Sequence, residues 1–257
     1  MIELDGEPAG SEALAALALT NYGHFTTLLV EDGRVRGLDL HLERLIRDCR
    51  TLFDAALDPG RVRALARRAA PERGRRTVRI TVFDPALNLG SIGAQARPRV
   101  LVTARPAPGT EPGPLRVRSV VHRRDLPEVK SVGLCPTLRL RRRAQREGYD
   151  DVLFTGSDGQ ILEGGTWNIG LVRDGQVVWP GGDVLAGTTR TLLRRAAGDP
   201  TALVDLSELD SYEAVFATNA ATGVRPVTGI DDREFPAAHP TVTRLAEIHR
   251  ALPSTPL

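Results

Sequence analysis

Lysine is almost absent from this chain. Of its 34 lysine and arginine residues one is lysine, Lys130, in the stretch "LPEVKSVGLC" (residues 126–135). Cysteine is scarce as well: Cys49 and Cys135 are too few and too far apart for a disulfide framework or a thiolate zinc site, and no other metal-ligand spacing stands out. Aromatic residues make up 4% of the chain, which leaves few platforms for stacking bases. The formal net charge of +2 is too small for a strong phosphate footprint. The basic run "RLRRRAQR" (139–146) therefore reads as a solvated helix face and not as a nucleic-acid helix. No apolar run approaches the ~18 residues of a membrane span. The acidic start "MIELDGEPAG" lacks the basic and apolar regions of a signal peptide. The expectation is a cytoplasmic protein with no metal, membrane or nucleic-acid partner.

What is present is ordinary globular material, 257 residues with 41% hydrophobic and 26% charged, enough for one large domain or two modest ones. "FTTLLV" has strand composition, "EDGR" carries an Asp-Gly turn, and "VRGL" is its return strand. From Leu40, the residues Leu42, Leu45, Ile46, Cys49, Leu52 and Phe53 recur at helical spacing. "PGRVRALARRAA" is a second helix, and "TVRITVF" and "RVLVTA" are strands. "RPAPGTEPGP" (105–114), with four prolines and two glycines, can continue neither a helix nor a central strand. Beyond it, "LRVRSVVHRR" is strand-like, Lys130 lies in a loop, and "TLRLRRRAQREG" is a helix ending at Gly148. "DDVLFTGSDGQILEGGTWNIGLVRDGQVVWP" reads as an antiparallel meander, "AGTTRTLLRRAA" as a helix, and "EAVFATNAATGVRPVTGI" as strand, small-residue loop and strand. The expected fold is α+β. A small N-terminal α/β domain (1–104) and a linker (105–114) precede a larger C-terminal domain of antiparallel strands and helices (115–257).

The lone lysine raises a chemical question. Arginine serves wherever a cation is only solvated or paired, but only lysine can lose its proton, attack a carbonyl and form a Schiff base. A chance survivor of arginine-rich composition is the alternative. Glu163 ends the strand "QILE" before two glycines that permit close backbone approach. Gly187, Thr188 and Thr189 stand at a helix amino terminus, whose N–H groups and dipole suit a phosphate, although a plain cap has the same look. "TNAATG" (218–223) is a second loop with N–H groups to offer. One amine, one carboxylate and two anion-binding turns suit pyridoxal 5'-phosphate.

From about Tyr22 to Val227 the chain resembles the fold-type IV pyridoxal-phosphate enzymes. That class IV aminotransferase family holds branched-chain and D-amino-acid aminotransferases and 4-amino-4-deoxychorismate lyase. "HLERL" is similar to its His-x-x-Arg-Leu segment, which implies that Arg44 binds cofactor phosphate. The lysine, followed by the run that ends in Glu-x-x-x-x-Asn, implies Lys130 as the Schiff-base residue and Glu163 as the partner of the pyridine nitrogen. "LAGTTR" resembles Gly-Ile-Thr-Arg, implying that Gly187, Thr188 and Thr189 hold phosphate. "TNAATGVRPV" resembles the loop before a Pro-Val pair, implying contacts from the backbone of Ala220 and Ala221.

The chain departs from the pattern at Cys135, where aminotransferases of the family carry tyrosine, and at Ala220, where many carry Ser or Thr. The resemblance implies an aminotransferase acting on a small amino acid or amine with a keto-acid acceptor, and a homodimer. "FTTLLVEDGRV" is closer to the lyase, which would place Thr26 and Thr27 at the substrate and release pyruvate. Cys135 and Trp167 do not look lyase-like and are the other substrate-contact candidates. A family member that kept the fold and lost catalysis is a further alternative, against which the retained lysine argues. Replacement of Lys130 by arginine is expected to leave the circular dichroism spectrum unchanged while abolishing the borohydride-trapped cofactor adduct. An undiminished adduct in Lys130→Arg would remove Lys130 from the chemistry.

Overall fold

A computed structural model describes residues 1–70, 72–107 and 112–257. The chain divides into two compact units, Met1–Gly109 with Val129–Gly133 and Pro253–Leu257, and Thr110–Glu128 with Leu134–Leu252.

The first unit contains β1 (Ile2–Leu4), β2 (Glu7–Pro8), α1 (Ser11–Thr20), β3 (His24–Glu31), β4 (Arg34–Arg36), α2 (Leu38–Phe53), α3 (Pro59–Ala69), β5 (Arg75–Phe83) and β6 (Arg99–Pro106). Asp32 and Gly33, both at positive φ, make the tight turn between β3 and β4 that the Asp-Gly pair predicts. Asp58 caps α3 by accepting the Gly60 N–H at 2.8 Å, with Pro59 in the first turn. Strand alternation sends Leu28 and Val30, Val78, Ile80 and Val82, and Val100 and Val102 to one face of the sheet. There they meet Leu45, Cys49 and Phe53 of α2 and Val62 and Ala66 of α3.

Two segments expected in the C-terminal domain pack here instead. The Phe25 N–H donates to the Lys130 carbonyl and the Val132 N–H to the Gly23 carbonyl, each at 2.9 Å, so residues 130–132 lie as a short extra strand against the start of β3. Ser254–Pro256 pairs antiparallel with β4, and Leu257 is buried in the core. Residues 105–106 of the expected linker finish β6, and its residues 108–111 lie outside the described residues. Helix α1 and the strands β1 and β2 had no clear signal in the sequence; Ala13, Leu14 and Leu17 of α1 pack only against a small cluster around Phe83.

The second unit contains β7 (Leu115–Val121), α4 (Cys135–Arg146), β8 (Asp151–Thr155), β9 (Ile161–Gly164), β10 (Asn168–Arg173), β11 (Gln176–Pro180), α5 (Thr188–Ala197), β12 (Thr201–Ala202), β13 (Ala214–Asn219), β14 (Gly223–Ile230), β15 (Arg233–Glu234) and α6 (Pro240–Ala251). The sheet order is β12-β11-β10-β13-β14-β7-β8-β9, with β15 added to β14. The expected meander is thereby corrected. β8–β9 and β10–β11 are antiparallel pairs at opposite ends of the sheet order, and β7 pairs parallel with both β8 and β14. Short Asp-Gly turns report which neighbours form hairpins, but cannot report strands inserted from later in the chain.

Gly170 of β10 stands opposite Phe216 of β13, and a Cβ built there would meet the Phe216 ring at 2.3 Å. The Phe216 ring is itself held edge-on against Trp179, with centroids 5.2 Å apart. Gly170→Ala is expected to cost about 1–3 kcal/mol through overpacking, read as a lower urea midpoint at constant slope. An unchanged midpoint would mean that the Phe216 ring moves aside without cost.

Candidate functional site

The Lys130 cluster belongs to the first unit and is built from β3, α2 and the 130–132 segment. On the buried stripe of α2, positions i, i+3 and i+7 are His41, Arg44 and Asp48, set among Leu38, Leu45 and Cys49. Asp48 is fully buried; its Oδ2 accepts the backbone N–H of Lys130 at 2.9 Å and its Oδ1 accepts Arg47 Nη2 at 2.7 Å. Burial pushes the Asp48 carboxyl up, and the Lys130 N–H and the Arg47 charge pull the other way. The backbone of Lys130 is thus held on both sides, by Asp48 through its N–H and by Phe25 through its carbonyl. Its amine lies 5.0 Å from the centre of the Phe25 ring.

Behind this, Arg44 Nη2 donates to Thr26 Oγ1 at 2.6 Å and lies 3.3 Å from His41 Nδ1, which is 2.7 Å from the same hydroxyl. A guanidinium only donates, so His41 Nδ1 accepts and the ring proton sits on Nε2. Burial first, then the charges of Arg44 and Lys130, holds the His41 pKa well below the ordinary value. Arg44 is buried, its Nε has no partner, and burial lowers its pKa to about 10. Thr26 is therefore engaged by helix α2, whereas Thr27 is on the opposite face of β3, paired with Arg79.

The Glu163 cluster belongs to the second unit. Glu163, at the end of β9, is buried and divides its carboxylate between two sets of donors. Oε1 accepts Arg124 through Nε at 2.8 Å and Nη2 at 2.7 Å. Oε2 accepts Asn168 Nδ2 at 3.3 Å and the Leu185 N–H at 3.2 Å. Arg124 also donates to the Pro127 carbonyl. Asn168 donates further to the Leu185 carbonyl at 2.8 Å, and its Oδ1 leaves no room for a Cβ at Gly187. Gly187 precedes α5 in an extended conformation without capping by a side chain, and the buried Thr188 hydroxyl has no partner. The first N–H groups of a helix have no acceptor within it. This end of α5 therefore presents amide donors beside a buried, unsatisfied hydroxyl. Thr189 and Arg190 are also buried, Arg190 donating to the Pro180 carbonyl at 2.7 Å.

The other sequence-derived candidates have different surroundings. The first of the two glycines after Glu163 does admit a close approach, by the Trp167 indole: a Cβ at Gly164 would meet it at 1.9 Å. Trp167 is a core residue whose Nε1 donates to Asp151 Oδ2 at 3.0 Å. Cys135 opens α4 and is exposed. The Ala221 N–H is turned inward onto Asn219 Oδ1 at 2.9 Å, and Ala220 lies half-buried in the same turn. Asp48, His41 and Arg124 were missed. The first two carry a legible signal, polar residues on the apolar stripe of α2, whereas nothing in the sequence pairs Arg124 with Glu163.

His24, on the same face of β3 as Thr26, is fully buried with neither ring nitrogen partnered. Burial, reinforced by Arg44 and Arg47, lowers its pKa to about 3. The folded state thus keeps His24 neutral while the unfolded chain takes a proton near pH 6.5, so stability is complete above that pH and falls as pH drops toward 3. Between pH 7.5 and 5 the wild type is expected to lose about 2 kcal/mol more than His24→Leu in urea denaturation. Equal losses would show that His24 is protonated in the fold.

Among the described residues no group of three or more His, Cys, Asp or Glu is placed to hold a metal, and no helix is long and apolar enough to cross a membrane. The family model described as Amino-transferase class IV matches residues 23–230. A bifunctional aminodeoxychorismate lyase / D-amino acid transaminase of Mycobacterium tuberculosis is 29% identical, the match covering 98% of this chain and 96% of that protein. A hypothetical aminotransferase from Mycobacterium tuberculosis in a PLP-bound form superposes with a TM-score of 0.82, at 24% identity over 98% of each chain. A branched-chain aminotransferase from Thermoproteus uzoniensis with norvaline superposes with a TM-score of 0.83, at 23% identity over 97% of this chain and 93% of that one.

Proposed function

Because the chain belongs to the class IV aminotransferases, enzymes that comprise pyridoxal-phosphate aminotransferases and related lyases, we propose that it transfers the amino group of a small amino acid or amine to a keto acid, with Lys130 as the reactive amine. The observation that carries this reading is the treatment of the only lysine: its backbone is fixed by a buried carboxylate and by β3.

The donors present suit the cofactor's phosphate. The buried Arg44 Nε and the buried Thr188 hydroxyl both lack partners, and the first turn of α5 adds amide donors. Arg44, Gly187, Thr188 and Thr189 would hold the phosphate, and Glu163 the protonated ring nitrogen. When bound, pyridoxal phosphate supplies an aldehyde that joins amines and a ring that takes up the electron pair of a bond broken at the α carbon. Lys130 Nζ takes the proton from the substrate's α carbon. Glu163 acts by remaining ionised, a state that the Arg124 guanidinium and the Asn168 and Leu185 N–H groups favour. A cytoplasmic homodimer belongs to the same reading.

Loss of pyruvate in the manner of 4-amino-4-deoxychorismate lyase is the second reading. It is favoured by Phe25-Thr26-Thr27 and by the relative named for both activities. Incubation of the purified protein with L- and D-amino acids, with and without a keto acid, and separately with aminodeoxychorismate distinguishes them. Amino-group transfer that needs an acceptor supports the first; pyruvate released from aminodeoxychorismate alone supports the second. Glu163→Gln is expected to retain cofactor and to lose at least tenfold in kcat, since a neutral amide holds the ring proton poorly. Unchanged turnover would take Glu163 out of the mechanism.

A further inference from the structure

His24 is the first residue of β3 and lies on the same face as Thr26, toward α2. Its ring meets that of Phe53 in the helix, with centroids 6.1 Å apart. Solvent does not reach it, and neither nitrogen has a hydrogen-bond partner. A polar group left unpaired in a core is costly, and most buried ones are satisfied. An apolar side chain would fill the same place without that cost.

What sets this ring apart is its neighbour in the sheet. His24 and Ser131 stand opposite each other in the bridge that joins residues 130–132 to β3. The bonds on either side of the bridge run from the Phe25 N–H to the Lys130 carbonyl and from the Val132 N–H to the Gly23 carbonyl. His24 and Ser131 therefore form the non-hydrogen-bonded kind of antiparallel pair, in which side chains approach most closely. The Ser131 hydroxyl is occupied, accepting the Gly133 N–H at 3.0 Å. One wall around the imidazole is thus a three-residue segment, held to β3 by two hydrogen bonds and to α2 by the Lys130 N–H on Asp48. The other walls are the core face of α2 and β5, where Val82 stands opposite His24.

The charges around the ring favour its neutral form. Burial first, then the positive charges of Arg44 and Arg47 on α2, lowers its pKa to about 3. The Asp48 carboxylate on the same helix is engaged by Arg47 and the Lys130 N–H. Past the end of β5, the Asp84 carboxylate is engaged by the Ala86 and Arg97 N–H groups. The 130–132 segment adds the Lys130 amine. A proton on His24 would create a buried cation beside arginines, and opening the three-residue wall hydrates it with less disruption than parting α2 from the sheet. We propose that His24 is a pH-dependent latch on the Lys130 segment: residues 130–132 stay paired with β3 while the ring is neutral, and a proton from solvent lifts them off with the rest of the unit still folded. The docked ring takes a proton only near pH 3, a hydrated one near pH 6.5. Docking is therefore complete above pH 6.5 and weakens as pH falls below it. His24 is a positioning residue, acting on the amine through the backbone that carries it. The latch is a property of the fold, and its effect on chemistry rests on Lys130 as the reactive amine.

The test follows amide hydrogen exchange of the full chain by NMR at pH 7.5 and pH 5, in the wild type and in His24→Leu. Wild-type protection factors at the Phe25 and Val132 amides are expected to fall about 30-fold over that range, the ratio by which a group of pKa near 6.5 favours the open form. Low urea leaves their exchange unchanged, as for a local opening, while the Ile80 amide in the middle strand of the sheet exchanges more slowly and responds to urea. In His24→Leu, and in His24→Phe as a second variant, the fall disappears. Wild-type protection at Phe25 and Val132 that is equal at both pH values, or that falls only with Ile80 and with the same urea response, overturns the latch. So does a fall that persists in both variants. Borohydride trapping with pyridoxal phosphate at pH 7.5 separates the two readings: a pH-dependent opening in a protein with no reduced adduct on Lys130 would overturn the reading of Lys130 and leave the latch standing.

Discussion

A buried carboxylate accepting the Lys130 N–H is the contact on which the proposed chemistry of this protein turns. Asp48 lies on the apolar side of α2, where an unpaired charge would be strongly destabilising. It is stabilised by two donors, Arg47 and the backbone of the one residue whose side chain can act as a nucleophilic amine. A hydrogen bond to a charged group contributes about 1.5–3 kcal/mol, enough to keep a loop residue in one place. The Phe25 N–H binds the Lys130 carbonyl and completes the hold. The helix that carries Asp48 also carries His41 and Arg44, so one amphipathic element both positions the lysine backbone and supplies a buried cation.

Each unit spends buried polar groups in a way that packing alone does not require. In the first, two histidines are kept neutral by burial and by arginine charges, and Arg44 retains an unsatisfied Nε. In the second, both oxygens of Glu163 are held by donors and the Thr188 hydroxyl is left without one. Unsatisfied buried donors cost about 1–3 kcal/mol each. Arg44 Nε in the first unit and the Thr188 hydroxyl in the second are two of several such groups among the described residues.

Much of this was legible in the sequence because local rules sufficed. Alternation placed β3, β5 and β6, the 3.6-residue period placed α2 and α3, and Gly187 before two threonines placed the start of α5. The family order of motifs singled out Lys130 and Glu163 as candidates. What escaped depended on partners distant in sequence. The insertion of β13, β14 and β7 between the two expected hairpin pairs has no local signature. Neither has the assignment of residues 129–133 and 253–257 to the first unit, nor the Arg124–Glu163 pair. Trp167 has both a local and a distant context. It is a substrate-contact candidate by the family pattern, and the fold seats its indole in the core against Gly164, while Gly165 stands against Arg141, Asp151 and Thr137.

The central claim is that Lys130 carries the cofactor, and the composition makes its test unusually clean. Apart from the amino terminus, Lys130 is the only primary amine in the chain. Purified protein supplied with pyridoxal phosphate, reduced with borohydride, digested and mapped by mass spectrometry should carry the reduced cofactor on the peptide that contains Lys130, at close to one per chain. A Lys130 peptide that stays unmodified, with the cofactor released on denaturation or found only on the amino terminus, would contradict the account.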